Sequence, residues 1–249
     1  YVAPHQCVCY QGVLMSNFNA VKAHAASDPK PVAQAERLQR GPAWSKVKAV
    51  HALPNTDWPM YRQNPQRSGS VDTELPNSLE RQWEAAVGTN ITAPVVADGR
   101  LLVADVDTHS IHALDAQTGQ SLWRYTAGGR VDSAPSVYGP LVLFGSADGW
   151  VYCLRARDGA ERWRFLAAPA ERRITAFGQV ESAWPVPGSV VVQTDRTSNP
   201  PRQLVYFTAG PQSYLDGGLF AYALAPQTGE LIHPTCHKGP RPAPFKDTG

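Results

Sequence analysis

Long apolar runs are missing from this chain: no stretch approaches the roughly 20 consecutive apolar residues that a bilayer-spanning helix needs, which excludes a helical membrane span. A charge excess of one sign is missing as well. The formal net charge is +2 and the Lys and Arg residues are scattered, so no face is built to neutralise phosphates and nucleic acid is not indicated as a partner. Cysteine is scarce. Cys7, Cys9, Cys153 and Cys236 are too few and too far apart for a disulfide framework, and they do not fix a redox compartment. No Gly-x-Ser-x-Gly, His-Glu-x-x-His, phosphate-binding loop or EF-hand loop is present, so an ordinary hydrolase or nucleotide enzyme is not indicated. The amino end, Tyr1-Val2-Ala3-Pro4-His5, has neither the charged start nor the apolar run of a signal peptide, so the chain reads as beginning inside a larger protein.

Against two methionines stand 22 prolines, 20 glycines and seven tryptophans, a balance that favours many short strands joined by tight turns over a helical bundle. Three of the tryptophans carry a period. Trp83, Trp123 and Trp163 follow one another at intervals of 40 residues, the repeat length of a four-stranded β-propeller blade. The phrase Ala93-Pro94-Val95-Val96 returns as Ala134-Pro135-Ser136-Val137, and Ile111-His112-Ala113-Leu114 returns as Val151-Tyr152-Cys153-Leu154. A third unit begins Ser182-Ala183-Trp184-Pro185 and continues with Leu219-Phe220-Ala221-Tyr222-Ala223-Leu224. The expected fold is all-β, a partial propeller of about three four-stranded blades with insertions in the third.

In the second blade the pattern predicts strands at Ser133–Tyr138, Leu141–Ser146, Trp150–Arg155 and Glu161–Phe165. Tyr138-Gly139-Pro140, Ala147-Asp148-Gly149 and Asp158-Gly159 mark the turns, since Gly supplies positive φ and Asp bonds nearby backbone. A flat blade cannot bury both of its faces alone, so a large aromatic residue must wedge into the next blade. The seven tryptophans include no Trp-Asp dipeptide, which removes the WD40 repeat.

The string Asp115-Ala116-Gln117-Thr118-Gly119-Gln120-Ser121-Leu122-Trp123 resembles the tryptophan-docking motif of the pyrroloquinoline-quinone (PQQ) type propeller repeat. Asp158, Gly159 and Trp163 belong to a reduced copy, and Ala225 to Ile232 form a third copy without its tryptophan. The resemblance implies that Asp115, Thr118, Gly119, Trp123, Asp158, Gly159 and Trp163 are structural docking residues. Upstream, Asp57-Trp58-Pro59-Met60-Tyr61-Arg62 is similar to the opening phrase of such propellers, including those of large planctomycete-type bacterial proteins. It places a domain start near Asp57 and an incomplete propeller over 57–249. Residues 27–56 then read as a linker with a short helix over Val32–Gln39, and residues 1–26 as terminal strands of a preceding propeller. The chain is thus expected to be a fragment spanning a junction of two propellers, because about three blades cannot close a ring.

Candidate sites are sparse. His5, Cys7 and Cys9 alternate, so on an extended strand they share one face and form a soft donor set for copper(I) or zinc. Buried strand thiols, or thiols paired with cysteines elsewhere, fit the same pattern. His233, Cys236 and His237 end like a c-type haem attachment motif, but His233 stands where that motif needs Cys. The stretch from Pro234 to Gly249 shows no strand pattern. In PQQ-type propellers the loops entering the innermost strands converge on one channel opening. Here those loops bring Thr89 and Asn90, then Arg130 and Asp132, then an insertion with Arg172, Arg173, Gln179 and Glu181, followed by Trp184. Asp132 and Glu181 stand directly before the expected inner strands. Such a set can bind a polar ligand or a metal, or its charges can pair with one another across blades.

The resemblance implies two functions. One is a non-catalytic binding or scaffolding module with a protein partner or the remaining blades as its contacts, located outside the cytoplasm in the periplasm or at the cell surface, as in outer-membrane assembly factors. The other is part of a PQQ-dependent quinoprotein dehydrogenase oxidising alcohols or sugars, with PQQ and calcium bound only in the complete propeller. Those enzymes carry an adjacent Cys-Cys pair near the quinone. None occurs here, so only the fold carries over.

Overall fold

The computed structural model describes residues 31–44, 50–71, 73–74, 77–176, 178–210 and 218–237, with 234–237 described by backbone alone. It begins with a single helical turn, α1 (Gln34–Arg37), and strand β1 (Leu38–Arg40). Blade 1 is β2 (Val95–Ala97), β3 (Arg100–Asp105), β4 (Ser110–Asp115) and β5 (Ser121–Thr126). Blade 2 is β6 (Ser136–Tyr138), β7 (Leu141–Gly145), β8 (Trp150–Arg155) and β9 (Glu161–Leu166). A two-stranded ribbon, β10 (Arg173–Ala176) and β11 (Gln179–Ser182), precedes blade 3, which is β12 (Val191–Asp195), β13 (Arg202–Ala209), β14 (Leu219–Leu224) and β15 (Leu231–His237). Each blade is an antiparallel meander. The inner strand β6 lies against both β2 and β12.

Local chemistry sets the meander. Asp98 and Gly99 both have positive φ, 50° and 70°, which makes the β2–β3 connection a type I′ hairpin turn whose twist matches the strands. The central strand β7 is apolar and buried throughout, as expected for a strand covered on both faces. The outer strand β5 is mostly exposed with Trp123 turned inward.

Between blades the tryptophans act as dowels. Trp83 Nε1 donates to the carbonyl of Ala116 at 3.1 Å, Trp123 Nε1 to Ala156 at 2.8 Å and Trp163 Nε1 to Pro226 at 3.1 Å. Each tryptophan therefore reaches the β-turn of the following blade. A Cβ at Gly119, Gly159 or Gly229 would stand 2.5 to 2.7 Å from the arriving ring, so the turn needs glycine both for its positive φ and for this approach. Asp115 shapes the first turn by accepting from the Gln117 and Thr118 amides and the Thr118 hydroxyl. In blade 2 the same turn is held by Arg155, whose Nε and Nη2 clasp Asp158 at 2.8 and 2.7 Å.

Three sequence expectations need correction. First, residues 31–44 of the stretch read as a linker are docked: the helix is limited to Gln34–Arg37, and β1 adds antiparallel to β9 as a fifth strand of blade 2. Arg37 secures it. Its guanidinium donates to the carbonyls of Leu166, Ala167 and Ala168 and to the Tyr222 hydroxyl, and lies over the Phe165 and Tyr222 rings. Second, the inner strand of blade 3 begins at Val191 and not at Ser182, because Pro185 and Pro187 cannot donate to a ladder and Gly188 weakens one. Third, β15 continues through Pro234 to His237, pairing Pro234 with Tyr222. It is the outermost strand of its sheet, where a missing N–H is tolerated.

Asp57 to Met60 is tied to the inner strands. Trp58 exchanges backbone hydrogen bonds with Val96 at 2.7 and 2.9 Å, and the Val137 amide donates to the Pro59 carbonyl at 2.7 Å. The segment therefore covers the inner edges of β2 and β6.

Candidate functional site at the entry to the inner strands

Arg130, Asp132 and Glu181 come together where the chain enters the inner strands. Arg130 meets Asp132 in a bidentate pair, Nε to Oδ1 at 3.0 Å and Nη2 to Oδ2 at 3.2 Å. Its Nη1 stands 2.6 Å from Glu181 Oε1. Glu181 is delivered by the ribbon, whose strands pair Ile174 with Glu181 and turn at Gly178 with φ 74°. Side-chain exposure is 11% for Arg130, 4% for Glu181 and 28% for Asp132, so one cation lies between a buried carboxylate and one that still meets solvent. Burial pushes the Glu181 carboxyl up to about 7, with Arg130 opposing and Asp132 adding.

Backbone bonds lock the ribbon to blade 2: Ser182 N donates to Ala147 O at 2.9 Å, and Ala147 N to Arg130 O at 2.8 Å. Gln179 extends the arrangement to blade 1 through a 2.7 Å bond between its Oε1 and His109 Nε2. His109 sits in the β3–β4 turn at φ 56°. Asn90 Nδ2 donates to Asp107 Oδ1 at 3.2 Å in the same turn, and Thr89 is exposed beside it.

The remaining expected residues lie elsewhere. Arg172 and Arg173 are exposed and line a separate cleft with Asp148, Glu36 and Trp150. Trp184 is 5% exposed and packs in the apolar cluster between blades 2 and 3, so it is not at the mouth. Asp148 was not among the expected site residues. It accepts from the Tyr152 hydroxyl at 2.5 Å and the Trp150 amide at 3.1 Å, and burial pushes its carboxyl up. The Asp-Gly turn signal at Asp148 was visible, but the hydroxyl that meets it was not. His5, Cys7 and Cys9 lie outside the described residues, as do the side chains of Cys236 and His237. His233 is exposed, with Nε2 at 3.4 Å from Arg202 Nη2.

The family model for "Outer membrane protein assembly factor BamB" matches residues 68–233. The chain belongs to this PQQ-like repeat family. It is 28% identical over 111 residues to outer membrane protein assembly factor BamB of Burkholderia pseudomallei, covering 44% of this chain and 29% of that protein. It is also 28% identical over 176 residues to 1-butanol dehydrogenase (quinone) of Thauera butanivorans, covering 66% of this chain and 26% of that protein. The quinohemoprotein alcohol dehydrogenase of Comamonas testosteroni shares its fold with a TM-score of 0.54 at 21% identity, over 72% of this chain and 27% of the enzyme. The chain thus spans less than a third of the length of these relatives, and the PQQ-like β-propeller repeat is what they have in common with it.

Calcium beside a bound PQQ would call for several oxygen donors converging on one point. Among the described residues no group of three or more His, Cys, Asp or Glu is placed to hold a metal ion, and the two mouth carboxylates are turned onto Arg130. In the described part of the propeller these two carboxylates are committed to the arginine.

Proposed function

We propose that this chain is a non-catalytic binding and scaffolding part of a PQQ-like β-propeller that works outside the cytoplasm on a protein partner. The observation that carries the reading is the consumption of the mouth charges: Arg130 is shared between Asp132 and Glu181 with little solvent access. Groups paired in this way fix loop geometry and offer no unpaired base or nucleophile to a substrate. The assembly-factor name of the curated relatives supports both the partner class and the location. Among the described residues no helix is long and apolar enough to cross a membrane. The quinoprotein dehydrogenase reading, with alcohols or sugars as substrates, is favoured by one observation, the 176-residue match to the Thauera enzyme. That reading places PQQ and calcium in the complete propeller, of which this chain holds about three blades.

The test is reconstitution of the full-length protein with PQQ and calcium, followed by gel filtration and quinone absorbance. No retained quinone is expected, whereas stoichiometric quinone overturns the scaffolding reading. A photo-cross-linker placed at Arg173 in producing cells is expected to yield a discrete protein adduct, and absence of any adduct counts against a partner at the cleft that Arg173 lines with Glu36 and Trp150.

A further inference from the structure

A second concavity lies at the other ends of the inner strands, and none of the mouth residues contributes to it. A cleft of about 620 Å³ is bounded by Met60 and Gln66 on one side and by Gln193, Thr194, Gln203 and Tyr206 of the β12–β13 hairpin on the other, with Tyr138 between them. A smaller cleft of about 360 Å³ continues from it past Tyr138 and Gln203 toward the β14–β15 turn, where Gln227 and Thr228 line it. The two share these residues, so together they form one elongated groove.

The wall formed by the chain after Met60 is held in an unfavourable backbone conformation. Arg62, Gln63 and Arg67 have positive φ of 56°, 75° and 58°, each costing on the order of 1 kcal/mol or more for a residue with a Cβ. Backbone bonds from Gln63 to Met60 and from Gly69 to Arg62 hold the loop, and the Arg67 guanidinium lies over the Tyr61 ring while donating to its carbonyl. Such cost gathers where the surrounding structure over-determines a loop, often beside a ligand.

The chemistry of the groove is specific in kind. Beside apolar residues, its lining carries the primary amides of Gln66, Gln193 and Gln227 and the phenol rings of Tyr138 and Tyr206, with two basic groups, Arg196 and Arg202, balanced by two carboxylates, Asp195 and Glu230. The one carboxylate of the larger cleft, Asp195, is occupied: it accepts from the Thr197 amide and hydroxyl and pairs with Arg202 at 3.6 Å. Amides offer a donor and an acceptor side by side, matching vicinal hydroxyls, while a phenol ring offers an apolar face to ring C–H groups. We propose that this groove binds a neutral, linear oligosaccharide. An extended peptide also presents amides, but it gains most from an open ladder edge. Of the two strands that line the groove, β13 is paired on both sides, and β12, the edge of its sheet, lies against β6 of the neighbouring blade.

The test uses the full-length protein and titrates chitohexaose and maltohexaose by calorimetry, with an uncharged hexapeptide of Gly, Ser and Gln as the comparison. At least one glycan is expected to bind, with affinity changed less than about twofold by added salt, because no ion pair is involved. Tyr138→Ala and Gln193→Ala are each expected to weaken binding by about tenfold or more, and Glu181→Gln at the opposite end to leave it unchanged. Gln193 is exposed, so its variant tests the site even if Tyr138→Ala unfolds. Binding of neither glycan, binding indifferent to Gln193→Ala, or binding of the peptide in place of the glycans overturns the proposal. Each outcome is distinct from PQQ retention, which bears only on the mouth.

Discussion

Gly99 and Gly159 form a matched pair that separates the cost of backbone conformation from the cost of blade docking. Their φ values are 70° and 68°, so alanine at either position pays the same left-handed penalty, about 1 to 2 kcal/mol. Their surroundings differ completely. A Cβ on Gly99 meets nothing within 4 Å, whereas one on Gly159 would stand 2.5 Å from Trp123 Cε3 and 2.7 Å from Cδ2. Gly159→Ala must therefore displace the indole, at an overpacking cost of about 1 to 3 kcal/mol. It also pulls Trp123 Nε1 from the Ala156 carbonyl 2.8 Å away, which adds about 1 kcal/mol. The expected losses are about 1 to 2 kcal/mol for Gly99→Ala and about 3 to 6 kcal/mol for Gly159→Ala. Urea unfolding followed by tryptophan fluorescence reads both as midpoint shifts at unchanged slope. In a cycle with Trp123→Leu, the Gly159→Ala penalty is expected to shrink toward that of Gly99→Ala, because the clash then has no second party. Equal losses for the two alanine variants, or strict additivity in the cycle, would refute the docking account.

Other consequences follow from single side chains. Glu181 has a folded-state pKa raised to about 7 from an ordinary 4.5, so the folded protein binds the extra proton between these values and stability falls as pH rises through that window; Glu181→Gln is expected to flatten this part of a denaturation-versus-pH curve, and an unchanged slope refutes the assignment. Arg37→Met removes the donors to three carbonyls and to Tyr222 and is expected to abolish hydrogen-exchange protection at the Gly41 and Ala43 amides, which bond to Arg162 and Glu161, while blade 2 stays protected. Cys153 is fully buried and burial pushes its thiol up, so peptide mass spectrometry should find it unalkylated by iodoacetamide in the folded protein and labelled in urea.

Most of blade 2 was legible because its strands obey local rules, although its inner strand starts at Ser136 and not at Ser133, since Pro135 has no N–H for the ladder. Trp150–Arg155 matches β8 residue for residue, and Glu161–Phe165 falls one residue short of β9, since Asp-Gly turns and apolar runs bracket these strands tightly. Blade 3 was read less well. The Ser182-Ala183-Trp184-Pro185 phrase imitates the inner-strand phrase of its neighbours, yet two prolines and a glycine move the ladder onward to Val191. The addition of β1 to β9 carries no local signal, because Leu38 and Phe165 are joined only by the tertiary fold. At the mouth the residue types were legible and the pairing was not. Sequence equivalence placed Asp132 and Glu181 at matching positions in successive blades, whereas Glu181 sits on a ribbon that brings it back onto Arg130.

The two blade interfaces show where variation is tolerated and where it is not. Between blades 1 and 2 the rings of Tyr125, Phe144 and Tyr152 form a cluster, with Phe144 stacked on Tyr152 at 5.2 Å and Tyr125 edge-on to both. Between blades 2 and 3 the corresponding Phe165, Phe207 and Tyr222 repeat it, with Phe207 stacked on Tyr222 at 5.4 Å and Phe165 edge-on. The apolar geometry is thus periodic, as close-packed faces of successive blades require. The polar partners are not. Tyr152 donates to Asp148, whereas Tyr222 donates to the Ala167 carbonyl and receives Arg37 from the segment before the propeller. Tyr125 donates to Glu161, and Phe165 has no hydroxyl to offer. A buried hydroxyl must find some partner, but which one is free to change from blade to blade. The repeat therefore fixes the rings and the tryptophan dowels, while individuality collects at hydroxyl partners, loop entries and inserted ribbons, and these aperiodic positions are where binding properties of this chain are expected to reside.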